Sequence, residues 1–61
     1  MPRSEEFVCG FAIALAELIR LHDEPTLARD VIDGAGYTLN DFECAGVERY
    51  DLTELRKAFE L

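Results

Sequence analysis

The chain has little of what active sites are made from. Among its 61 residues there is one histidine, two cysteines, one methionine and no tryptophan. Ser4 is the only serine. Neither Ser4 nor Cys9 nor Cys44 has a base beside it in sequence, so the nucleophile-and-base pairing of covalent catalysis is not expected. His22-Asp23-Glu24 offers three ligand types in a row, but consecutive residues rarely converge on one ion and no second cluster has zinc spacing. The acid-rich segment Asp33–Glu43 lacks the alternating ligands and closing Glu of a calcium loop. No enzyme, no metal and no cofactor is expected. Two cysteines are also too few for the disulfide framework of small secreted domains. Both read as reduced thiols, and the expected location is the cytoplasm.

Positive charge is the next scarcity. Six Lys and Arg stand against thirteen Asp and Glu, for a formal net charge of -7. Such a balance excludes direct nucleic-acid binding, because the acids would face phosphates. It also excludes a membrane-surface helix, which needs a basic polar face. The longest apolar run, from Phe7, meets Glu17 and Arg20 short of the roughly 20 residues needed to cross a bilayer. The opening MPRSEEF has none of the basic stretch of a signal peptide, so no targeting segment is expected. Alternation of apolar and polar residues over strand length is missing as well, which leaves no β-signal.

What is present reads as helices. Ser4 suits an N-cap, with Glu5 and Glu6 favourable at the positive end of the dipole and Arg20 and His22 favourable at the other. Asp23-Glu24-Pro25 breaks that helix, and Pro25 fits the first turn of a second. Leu27, Ala28, Val31, Ile32 and Ala35 keep helical spacing, and Gly36 suits a left-handed stop. Thr38 and Asp41 have the spacing of a shortened capping box before Leu39, Phe42 and Ala45, with Gly46 as the next stop. Asp51 and Glu54 have the same spacing before Leu52, Leu55 and Phe59. The expected fold is therefore all-α: a small helical bundle in a single domain over residues 1–61, one long apolar N-terminal helix followed by three short helices. AGYTLNDF and AGVERYDLTEL echo one another, as a glycine stop followed by a polar start used twice.

The first helix is apolar nearly all round. Phe7, Phe11, Ala14, Leu15 and Leu18 make one stripe, and Val8, Ala12, Ile13, Ala16 and Ile19 make another. A helix of this kind is buried all round. Three short segments can cover one stripe and part of the other, so an exposed apolar remainder is expected to pair two copies. Phe7, Val8, Phe11, Ala12, Ile13, Leu15 and Ile19 are the expected homodimer interface.

The acid is uneven. Residues 23–54 hold nine acids against Arg29 and Arg49, and this segment carries the whole net charge. Arg29–Asp33 and Arg56–Glu60 have i,i+4 pairing distance. Asp23, Glu24, Asp30, Asp33, Glu43 and Glu48 are the expected acidic face for a protein partner with a basic surface, with Tyr37 and Tyr50 as aromatic anchors. By class alone, the profile resembles small acidic inhibitors encoded by phages and mobile elements, including some anti-CRISPR proteins and nucleic-acid mimics. The resemblance rests on size, acidity and the scarcity of chemistry, and no residue motif carries it. It implies a non-enzymatic inhibitor or adaptor that engages a basic, nucleic-acid-handling protein. The other expectation is a homodimeric assembly module that docks through the apolar first helix.

Overall fold

The computed structural model describes residues 4–61. Met1 to Arg3, part of the stretch read for a targeting signal, lie outside them. Four helices follow in order: α1 (Glu5–His22), α2 (Pro25–Ala35), α3 (Leu39–Cys44) and α4 (Arg49–Phe59), with no strand among the described residues. The all-α class and the long first helix are as the sequence implies.

Local chemistry sets most boundaries. Ser4 is extended, and its hydroxyl accepts the Phe7 N–H at 3.1 Å, which satisfies one orphan donor of the first turn. α1 stops where Asp23 turns left-handed at φ 52°, a conformation that Asp tolerates better than most side chains. Pro25 then opens α2, where its missing N–H costs nothing.

The internal echo has a structural basis. Gly36, at φ 79°, donates to the Asp33 carbonyl while Tyr37 donates to Ile32. Gly46, at φ 85°, donates to Glu43 while Val47 donates to Phe42. Each is a Schellman stop, with the residue after the glycine folded back onto the core. Thr38 then forms the full capping box: its hydroxyl accepts from the Asp41 N–H, and the Asp41 carboxylate accepts from the Thr38 N–H at 2.7 Å. A helix of six residues is far below the length that persists alone, so both ends of α3 need these closures.

The second half of the echo departs from expectation. α4 begins at Arg49, with Glu48 as its N-cap and no side-chain cap bond. The Glu48 carbonyl already accepts from Asp51 and Leu52. Asp51 is therefore not a cap but lies inside the first turn, and only 8% of it is exposed. Glu54 likewise closes no box. The reason is tertiary: both carboxylates turn toward Arg20 of α1.

α1 and α4 each pack against all three other helices, whereas the backbones of α2 and α3 do not approach one another closely. Val8, Ala12, Leu15, Ala16 and Ile19 give the core face of α1, and Ala28, Ile32, Phe42, Val47, Leu55 and Ala58 complete the core. Their spacing along α1 (four, three, one and three residues apart) is a single helical stripe. This corrects the expected dimer face. Val8, Ala12, Leu15 and Ile19 are enclosed by the chain's own helices, because α2 and α4 both close over that stripe. Phe11 is half-buried and packs against the same core. Of the seven residues, only Phe7 and Ile13 are exposed.

Five of the six aromatic rings form one connected group. Phe42 is fully buried at its centre, with ring centroids of Phe11, Tyr37 and Phe59 at 6.4, 5.5 and 6.4 Å. Such offset and tilted contacts add to simple burial. Tyr37 therefore belongs to the interior rather than to an anchor surface, and its hydroxyl oxygen is itself buried. The physical reason is its place directly after Gly36, where the Schellman stop turns its ring inward.

Candidate functional site

The six acids expected to form a binding face divide in two by their surroundings. All six are exposed. Asp33 is held by Arg29, whose Nε lies 3.0 Å from one carboxylate oxygen and 3.1 Å from the other. Among the described residues no cation pairs with Asp23, Glu24, Asp30, Glu43 or Glu48. Three of the five described cations are engaged elsewhere, and exposed Arg49 makes no ion pair among the described residues. Arg20 sits among Glu17, Asp51 and Glu54, and Lys57 also pairs with Glu54. Arg56 and Glu60 make no pair among the described residues.

Fold positions explain the placement. Asp23 and Glu24 form the α1–α2 turn, and Asp30 lies on the outward side of α2, opposite buried Ala28 and Ile32. Glu43 and Glu48 bracket the α3–α4 turn. The outward side of α2 also presents Leu27 and Val31, each about half exposed.

Arg20 organises the other polar region. Its guanidinium bonds Glu17 within α1 and reaches Asp51 Oδ1 at 3.3 Å and Glu54 at 4.0 Å on α4. It also lies 3.9 Å from the ring centre of Tyr50. Partial burial alone would lower its pKa. The hydrogen bond that Arg20 donates to Asp51 and the charges of Tyr50, Glu17 and Glu54 outweigh that and hold it above the ordinary arginine value. Tyr50 is 64% exposed, so one ring face meets Arg20 and much of the rest faces solvent. Of the two tyrosines, this one remains available at the surface.

An open cavity of about 230 Å³ lies beside this region, between α1 and the α3–α4 turn. Cys9, Ile13, Gly46, Val47, Glu48 and Asp51 line it. It joins two residues that the sequence assigns to different faces, Ile13 and Glu48. Cys9, Gly46, Val47 and Asp51 carry no sequence signal for a site, because the cavity exists only where α1 meets a turn some 35 residues later. The Cys9 thiol donates to the Ala45 carbonyl at 3.4 Å and so ties α1 to the same turn.

Cys44 and His22 are exposed, and both cysteines are free thiols. Among the described residues no three His, Cys, Asp or Glu side chains are placed to hold a metal ion. Among the same residues no helix is long and apolar enough to cross a membrane. No protein-family model, no curated protein and no solved structure matches the chain.

Proposed function

We propose that this chain is a non-enzymatic binding module whose acidic surface engages a basic, nucleic-acid-handling protein and occupies the groove that phosphates would otherwise fill. One observation carries the reading: Asp23, Glu24, Asp30, Glu43 and Glu48 are exposed and make no ion pair among the described residues, while three of the five described cations, Arg20, Arg29 and Lys57, are engaged in ion pairs. Charge left over after internal pairing is what a basic partner meets first, and it steers encounter. Solubility alone accounts for the net charge but not for the segregation of paired and unpaired acids.

The test is capture of host proteins by the tagged chain in low and then high salt, beside an Asp30→Lys, Glu43→Lys variant. A nucleic-acid-handling protein held at low salt, released at high salt and lost by the variant is the expected result. Equal capture by a variant with an unchanged helical spectrum overturns the reading.

The homodimer is the weaker reading, because four of the seven residues assigned to it lie in the core. Phe7 and Ile13 supply the observation in its favour, each about half exposed on α1. Sedimentation equilibrium of the chain and of Ile13→Asp decides it: a dimer that the variant dissolves supports the pairing, and a monomer throughout ends it.

A further inference from the structure

The cavity between α1 and the α3–α4 turn has walls of two kinds. Ile13, Val47 and the Cys9 side chain are apolar, and Glu48 and Asp51 are carboxylates. At about 230 Å³ it falls below the roughly 300–1,000 Å³ of pockets that enclose small-molecule ligands. A water's share of liquid volume is about 30 Å³, so the space suits one long side chain and not a nucleotide.

Charge decides which side chain. Three carboxylates, Glu17, Asp51 and Glu54, already surround the single guanidinium of Arg20. Glu48 adds a fourth and has no cation of its own among the described residues. With Lys57, which pairs with Glu54, counted beside Arg20, four carboxylates stand against two cations and the neighbourhood remains negative. An apolar wall ending in surplus carboxylate matches the amphipathic shape of lysine and arginine, whose stems lie on apolar surface while the charged head seeks a polar partner.

We propose that this cavity is a socket for one lysine or arginine side chain of a basic partner. The stem lies along Ile13 and Val47 and the cationic head meets Glu48 at the rim, with Asp51 behind it. The inference borrows the partner's charge from the acidic-surface reading, but its geometry stands apart from Asp23, Asp30 and Glu43.

The experiment is a titration of the ¹⁵N-labelled full chain, followed by amide shifts, with Nα-acetyl-arginine amide and Nα-acetyl-lysine amide. The citrulline analogue, which keeps the shape and loses the charge, and inorganic phosphate are the controls. Saturable shifts centred on Cys9, Ile13 and Gly46 to Glu48 are expected for the cations. The citrulline analogue and the Glu48→Gln variant should each bind about fivefold more weakly, the worth of one solvent-exposed charge contact. Glu48 makes no side-chain cap bond, so this variant keeps the start of α4. Ile13→Ser, at a half-exposed position, removes the apolar wall and should weaken both cationic probes alike. Equal response to citrulline, shifts that follow Asp23 and Asp30 instead, a stronger response to phosphate, or no effect of either variant overturns the socket. If only the acidic-surface reading fails, the Asp30→Lys, Glu43→Lys chain keeps both partner capture and its arginine response. If only the socket fails, that chain loses partner capture while the unaltered chain gives no saturable arginine response at the cavity.

Discussion

Two clusters hold this bundle together by opposite means. Around Phe42 the contacts are between rings, and a cation, Arg29, meets only the outlying ring of Phe59, at 5.2 Å. Around Arg20 they are between one cation, three carboxylates and the sixth aromatic ring, at the margin of solvent. The first draws on burial, roughly 25 cal/mol for each Å² of apolar surface removed from water. The second gains little net energy from a partly solvated ion pair but fixes geometry, since Asp51 is nearly buried and only Arg20 answers its charge. In a domain this small the apolar cluster supplies stability. The charged cluster dictates where α4 starts and how it meets α1.

Breaking each cluster in turn tests the contrast. Phe42→Ala should cost about 3–5 kcal/mol, enough to unfold most of a domain of this size, seen as loss of the cooperative thermal transition in circular dichroism. Arg20→Met should rank second, since it strands Asp51. Its penalty in urea denaturation should shrink as salt is raised, whereas that of a milder ring change, Phe11→Leu, should not. The Arg20 contribution should also be flat with pH on the alkaline side. A raised pKa keeps the guanidinium charged, and its stabilisation is lost only as pH climbs through that raised value. Thr38→Ala removes half of the capping box under Phe42 and should cost about 1 kcal/mol. Tyr50→Ala should cost the least, about 0.5–1 kcal/mol from the stacked guanidinium, and Tyr50→Phe should restore it. An Arg20→Met penalty as large as that of Phe42→Ala would erase the distinction between the clusters.

The local signals in the sequence carried most of the fold. Ser4, Pro25, Gly36, the Thr38–Asp41 box and Gly46 all act where their chemistry says they should. Asp51 misled because a capping box is defined by spacing, and the same spacing also serves a carboxylate that a distant arginine recruits. The apolar face of α1 misled for a related reason. Two stripes satisfy the same helical period, and only the helices packed on it decide which is core. The candidate site was legible in its acids, which sit where exposed polar residues should. It was not legible in the cavity, whose walls come from opposite ends of the chain, nor in Tyr37, whose ring is turned inward by the glycine before it.

The central pair of helices comes from distant parts of the sequence. α1 and α4 are the elements that everything else packs on, yet 26 residues separate His22 from Arg49. Leu55 and Ala58 must be made before the stripe on α1 has its principal cover. Any opening that lifts α4 therefore uncovers the most apolar segment of the chain, so the first and last helices of the bundle protect each other or neither is protected. In that opened state the surplus of acid repels one chain from another.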